Sequence, residues 1–343
     1  MLTRLGPMAL RIAGAAAILG VSACAGMSSI SPPPQAGSKG ATVGRPLSAL
    51  SDACSTKACL YVTDRYVNTI TVYTKGAHGN AAPIRTITGA MTGLSQPVGV
   101  SLDSSRAVHV ANYAANSVTE YAPGANGNVA PIKTITGVKT MLQGPAFVAV
   151  DASGKSYVVN WTTFSIAVFA AGASGNVAPT KMISGSNTTL SDPLCLVLDA
   201  AKEMIVTNYS NNSVAVFAPG AHGNVAPIRT IVGGNTGLGG PGGLALDHTG
   251  AIYVTNYASS SVTVYAANAN GNVAPIRTIA GSNTGLNTPA EITFDKSGNI
   301  YVANRDGNSV TVYAANASGN VAPLRTIAGS NTLLNGPAGM ALR

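Results

Sequence analysis

The sequence predicts an all-β fold: a six-bladed β-propeller of four-stranded antiparallel blades, its ring closed by the C-terminal strand 337–342, which completes blade one. Three observations predict it. First, a phrase such as GNVAPIRTIAGSNTG (271–285) occurs six times, located by Gly79-Asn80, Gly127-Asn128, Gly175-Asn176, Gly223-Asn224, Gly271-Asn272 and Gly319-Asn320. Consecutive copies stand 48 residues apart without insertion or deletion, and a fixed period of roughly 20–50 residues marks a repeat architecture. Second, each period holds four short runs rich in β-branched and aromatic residues, separated by Gly, Asn, Asp and Pro, which is strand-and-turn composition. Third, the chain enters at a second strand near Leu60 and finishes on a first strand, PAGMAL (337–342). Blade one therefore lacks an innermost strand and the C-terminus supplies one, which removes the open sheet edges.

One unit, 289–328, justifies each element in turn. AEITF is the first strand and DKSG its turn; NIYVAN is the second strand, followed by RDG; SVTVYA is the third. The Gly-Asn pair turns the chain toward the fourth run, PLRTIA. Its proline, Pro275 in the preceding copy, is expected to start the fourth strand, because proline cannot donate to a ladder and belongs at a strand's start or edge. The Arg or Lys two residues on is expected to mark an exposed edge, where charge discourages aggregation. GSNTG then leads to the next blade. First strands begin at Pro97, Pro145, Pro193, Pro241, Pro289 and Pro337, and second strands end at Asp64, Asn112, Asn160, Asn208, Asn256 and Asn304. Six complete sets give six blades.

Charged residues make up 9% of the 343-residue chain and hydrophobic residues 46%, too apolar a balance for disorder. The net charge is +8, or +6 without the leader residues Arg4 and Arg11. The basic residues do not cluster: Arg85, Lys133, Lys181, Arg229, Arg277 and Arg325 occupy one repeat position, once per blade. Spaced single charges match a phosphate backbone poorly, and no nucleic-acid partner is expected.

Residues 1–23 carry Arg4 and Arg11 ahead of an apolar stretch, Ile12 to Ala23. That is shorter than the about 20 residues a membrane span needs and fits a secretory leader. Val21-Ser22-Ala23-Cys24 resembles the bacterial lipobox, which implies cleavage before Cys24 and its acylation; two or more acyl chains anchor stably. Plain signal-peptide cleavage beside an incidental cysteine is the alternative. In a Gram-negative host, Ala25 in place of Asp implies the outer membrane by the same resemblance. Residues 24–54, rich in Ser, Pro and Gly, read as a flexible tether averaging about 30 Å end to end, and 55–343 as the propeller. Cys54 and Cys59 sit where the two meet and could form a disulfide after export, or remain as two thiols. Cys195, within PLCLVL, reads as a buried core residue. No Cys/His spacing suits zinc.

The pattern P-x-G-(I/L/V)-x-x-D-x-x-G-x-I-Y-V-(A/T)-N followed by S-V-T-V-Y resembles the NHL-repeat family and the related YVTN-type repeats; residues 241–266 carry nearly all of it. The resemblance spans about 59–343. It implies the propeller fold and, by the family's usual role, binding of protein, nucleic acid or glycan at one face, while fold alone does not decide function.

Propeller chemistry is expected on the central axis. Similar six-bladed lactonases of the gluconolactonase type place a metal-binding acid or Asn just after the first-strand proline. Here that position holds Val98, Ala146, Leu194, Gly242, Ala290 and Ala338, and the next holds Gly99, Phe147, Cys195, Gly243, Glu291 and Gly339. Glu291 is the one acid, a weak catalytic candidate beside the reading of a hydrogen-bonded or solvated carboxyl. A streptogramin-lyase-like His/Glu pair would need a histidine near Glu291, and none of His78, His109, His222 and His248 falls there. The ring Asp64, Asn112, Asn160, Asn208, Asn256 and Asn304 offers six oxygens that could hold calcium, but side chains of this type at strand ends also bond their own turns. Just beyond it come Arg65, Tyr113, Trp161, Tyr209, Tyr257 and Arg305, types enriched at binding hot spots, although they could simply cover loops. Asp103, Asp151, Asp199, Asp247 and Asp295 open the first turns, where Asp is favoured.

The role expected is a non-catalytic, lipid-anchored binding or scaffold propeller outside the cytoplasm, without a cofactor, presenting the Tyr/Trp/Arg face to a protein or glycan partner. The alternative is a metal-dependent lactonase- or lyase-like enzyme using Glu291 and the Asn ring, with calcium. A third reading is a structural envelope protein without a specific ligand.

Overall fold

The computed structural model describes Cys54 and residues 58–343, all within one compact unit, Pro46–Arg343. The leader 1–23, Cys24 and the tether 24–54 short of its last residue lie outside the described residues. Among those described, no helix is long and apolar enough to cross a membrane.

Six four-stranded antiparallel sheets form the blades of a propeller. The innermost strands are Pro97–Leu102, Pro145–Val150, Pro193–Leu198, Pro241–Leu246 and Pro289–Phe294 in blades two to six, and Pro337–Leu342 in blade one. The second strands are Cys59–Asp64, Val108–Asn112, Ser156–Asn160, Met204–Asn208, Ile252–Asn256 and Ile300–Asn304. These second strands are buried along nearly their whole length, because the flat faces of adjacent blades pack on each other. Their β-branched side chains suit that double burial, each Val or Ile contributing about 1.5–3 kcal/mol.

The C-terminal strand closes the ring in register: Leu60 pairs with Leu342, Tyr61 with Ala341, Val62 with Met340 and Thr63 with Gly339. The Cys59 amide donates to the Arg343 carbonyl at 2.6 Å, and the Arg343 amide to the Cys59 carbonyl at 3.1 Å. Next to this joint Cys54 is bridged to Cys59.

The repeated phrase does more than turn the chain. In each copy the Gly of Gly-Asn bridges to the outer strand of the preceding blade, Gly127 to Ile87 and, across the ring closure, Gly79 to Ile327. The Asn side chain continues the clasp. Its Oδ1 accepts the backbone amide of the linker that leaves that preceding blade: Met91 to Asn128 at 2.8 Å, Lys139 to Asn176 at 2.8 Å, and Asn331 to Asn80 at 2.7 Å. Room for it comes from glycine: Gly89 has φ 116°, and a Cβ there would stand 2.6 Å from Asn128. Both the conformation and the space require Gly. Tyrosines on third strands add bonds of the same reach, Tyr121 to the Thr92 carbonyl and Tyr265 to the Thr236 carbonyl, each at 2.6 Å.

Two local expectations change. The outer strands begin at the basic residue, as in Arg277–Ile279, two residues after Pro275, since the proline contributes no donor to the ladder. Nor does the basic residue simply decorate an exposed edge. Arg85 is 5% exposed and donates to the Tyr61 hydroxyl at 2.9 Å; Arg325 does the same to Tyr301 at 2.9 Å, Arg229 pairs with Glu203 at 2.6 Å and Lys133 with Glu120 at 2.9 Å. The long stems fold back across the third strand, keeping apolar length against the sheet.

Candidate functional site

The strand-end ring is built into the blades. Each carboxamide or carboxylate oxygen accepts a backbone amide from the loop before its own blade's first strand: Ser95 to Asn112, Gln143 to Asn160, Ser191 to Asn208, Gly239 to Asn256, Asn287 to Asn304 and Asn335 to Asp64, at 3.0–3.3 Å. On the other side Asn256 donates to Thr263 and Asn304 to Thr311, each at 3.0 Å. All six are fully buried. Calcium held by these oxygens would have to reach fully buried groups that each already accept a backbone amide. Asp64 is the variant of the set; burial pushes its carboxyl up to about 7, against hydrogen bonds from Asn335 and Thr71.

Those loops in turn place the next residue of each blade. The amides of Arg65, Tyr113, Trp161, Tyr209, Tyr257 and Arg305 each donate to the carbonyl of the residue just before a first-strand proline, Trp161 to Gly144 at 3.0 Å and Tyr257 to Gly240 at 2.9 Å among them. The side chains, all half-buried, form two stacks. Arg65 lies 4.9 Å over the Tyr113 ring, which meets Trp161 at 5.6 Å. Arg305 lies 4.3 Å over the Tyr257 ring, which meets Tyr209 edge-on at 6.0 Å. Such contacts add about 0.5–1.5 kcal/mol apiece beyond area burial and hold the rings in fixed orientations.

Below lies a cavity of about 200 Å³ on the axis. Arg65, Trp161, Tyr209, Tyr257 and Arg305 form its mouth; Tyr113 stands behind Arg65 and does not line it. The floor is Val98, Ala146, Leu194, Ala290 and Ala338, with Phe147, Cys195 and Glu291 beside them. The two first-strand positions singled out by their repeat register are thus the ones that meet on the axis.

Glu291 is 4% exposed. Burial pushes its carboxyl up to about 8, against backbone hydrogen bonds from Ile292 and Leu244. Its Oε1 accepts the Ile292 amide at 3.0 Å and lies 3.9 Å from the Cys195 sulfur. That shift favours the neutral, protonated form at pH 7. The Cys195 thiol is pushed up by burial and then by Glu291, so it is held as a thiol and not as the thiolate that nucleophilic chemistry requires. Among the described residues no histidine lines the cavity.

A second cluster lies away from the axis. His109 replaces the second-strand tyrosine of other blades, and its Nε2 stands 3.2 Å from Asp103 while Nδ1 stands 4.0 Å from Glu120. The three offer ligand atoms within 4.8 Å of one another, but Lys133 already holds Glu120 at 2.9 and 3.0 Å. The repeat register had a signal for it: His109, Glu120 and Lys133 sit at cross-strand positions. Read singly, Asp103 is a turn residue and His109 one of four scattered histidines.

Among family models, one described as lactonase, 7-bladed beta-propeller, matches residues 239–333; the chain itself has six blades. A search of curated proteins finds no match. Solved structures with similar folds include a protein of unknown function from Bacteroides caccae, 9% identical, covering 84% of this chain and 99% of that one at a TM-score of 0.61. A Bacteroides fragilis protein provisionally assigned as a 6-phosphogluconolactonase is 13% identical, with coverage of 84% and 98% and a TM-score of 0.56. A catalytically inactive virginiamycin B lyase from Staphylococcus aureus with quinupristin is 13% identical, with coverage of 76% and 82% and a TM-score of 0.52. At these identities the likeness is one of fold.

Proposed function

We propose that this chain is a non-catalytic binding propeller, held outside the cytoplasm by a lipid on Cys24 and a tether over 24–54, which receives a partner at the mouth formed by Arg65, Trp161, Tyr209, Tyr257 and Arg305. In a Gram-negative host the anchor would lie in the outer membrane. One observation carries the reading. The aromatic and arginine side chains of separate blades converge on an apolar cavity, beside which burial pushes the Glu291 carboxyl up to about 8 and raises the Cys195 thiol. Rigid aromatics and arginines around an apolar floor are the makings of a binding hot spot. The apolar floor favours a protein over a glycan, whose hydroxyls would lose water there without gaining partners. The test is capture of envelope partners by crosslinking the intact lipoprotein in its own cells. Trp161→Ala, Tyr209→Ala and Tyr257→Ala combined should abolish the crosslinked species; unchanged crosslinks would move the site elsewhere.

A second reading, a lactonase- or lyase-like enzyme, is favoured by the family match over 239–333, which spans Glu291. It requires hydrolysis of a lactone, or ring opening by elimination, that is lost in Glu291→Gln. Stoichiometric calcium in the purified protein would add to it.

A further inference from the structure

We infer that the axial cavity takes a carboxylate carried on an apolar body, the carboxylate seated between Arg65 and Arg305 and the body on the floor. This rests on the binding reading above and names its ligand class. Blades six and one are neighbours because the ring closes between them, and that joint alone sets ring arginines on adjacent blades; both line the cavity, each resting on the tyrosine of its other neighbour. Burial, and after it the charge of Arg305, lowers the pKa of Arg65, so the two guanidiniums feel each other. Arg65 has no carboxylate partner among the described residues; it meets the Gln96 carboxamide at 3.4 Å. Arg305 shares one exposed acid, Asp306, at 3.4 Å.

Like charges facing one mouth repel each other unless an anion joins them, and the guanidinium fork matches the geometry of a carboxylate. With Asp306 counted, the mouth carries a net charge of +1, which a monoanion balances. Glu291 holds its proton at neutral pH and leaves that sum unchanged. The volume decides the body. At about 200 Å³, the cavity is below the roughly 300–1,000 Å³ of drug-sized ligand sites. It admits one aromatic or branched aliphatic group and does not enclose a run of sugar rings. A peptide ending in an apolar residue with a free terminus has this chemistry, and so does a small arylalkanoic acid.

Trp161 is the one tryptophan of the chain and lines the mouth, so its emission reports the site. The intact chain in detergent is titrated with 3-phenylpropionate, 3-phenylpropionamide, a peptide ending in free phenylalanine and the same peptide amidated, with calorimetry on the same solutions. Each acid should bind at least about tenfold tighter than its amide, as a charge-assisted pair requires. Arg65→Gln and Arg305→Gln should each remove that preference while the variants keep a cooperative melt. Tighter binding of the peptide would assign the source to a protein terminus, and of the free acid to a small molecule. Amides binding as well as acids, unchanged acid binding in both arginine variants, or binding of a hexuronate oligomer in place of the apolar acids would each overturn the inference. If no acid binds while the triple aromatic variant still loses its crosslinks, the ligand class falls and the binding face stands. Crosslinks that survive the triple variant remove the face itself.

Discussion

Asn80 accepts a 2.7 Å hydrogen bond from the backbone amide of Asn331, although 251 residues separate them. It is the same clasp that joins every other pair of neighbouring blades, here made between the first blade and the last. The ring is therefore locked twice, by the C-terminal strand near the axis and by this loop toward the rim.

The clasp predicts a coupling. A Cβ on Gly329 would lie 2.4 Å from the Asn80 oxygen, at φ 122°. Asn80→Ala should cost about 1 kcal/mol, the value of one hydrogen bond. Gly329→Ala should cost more, since clash and backbone strain add. Combined, the two should cost less than their sum, because removing Asn80 relieves the clash. A denaturant-unfolding double-mutant cycle measures the interaction; strict additivity would show that the two residues do not meet.

Loss of the closing strand should be far more damaging. Deleting residues 336–343 strips the partner from Cys59–Asp64 and leaves a buried apolar strand as an open edge. A circular-dichroism melt should show loss of the cooperative transition or a Tm lower by tens of degrees. A truncated chain melting with the intact one would contradict the closure.

Asp64 stands where the other blades have Asn, and burial raises its carboxyl to about 7. A carboxyl whose folded value exceeds its unfolded value of 3.8 binds more protons when folded, so stability is lost as pH rises from about 4 to about 7. Asp64→Asn restores an uncharged donor toward Thr71. It should raise the Tm at pH 8 and change it little at pH 4, checked by thermal melts across that range.

Glu291 follows the same sign over a higher window, from its ordinary 4.5 to about 8. Stability present at acid pH should decline as pH rises through neutrality, by an amount on the order of a few kcal/mol. Glu291→Gln should flatten that decline. If the variant instead kept the full pH dependence, the buried carboxyl would not be its source.

Much of this architecture is written in nearest-neighbour terms. Alternating Val, Ile and Tyr, a proline at each first strand and an Asn at each second-strand end act within a few residues, so strand edges such as Pro97 and Asn112 were readable in place. The period placed the ring from Arg65 to Arg305 on one face by register alone. What the register does not contain is direction and company. That Arg85 folds back onto Tyr61 and that Tyr113 retreats behind Arg65 depends on the packing of neighbouring strands and blades. So does the meeting of Glu291 with Cys195, two blades apart in the chain.

The sequence by itself determined six repeated sheets, their strand limits, and an innermost strand for blade one supplied from the C-terminus, because local backbone preference and a constant 48-residue spacing specify them without long-range information. Only the tertiary structure decided that the Gly-Asn loop grips the blade before it, that the ring arginines lean onto neighbouring tyrosines and that the axis holds an apolar cavity with a buried acid at its side. Those depend on distances between residues far apart in the chain, and such distances exist only once the ring has closed.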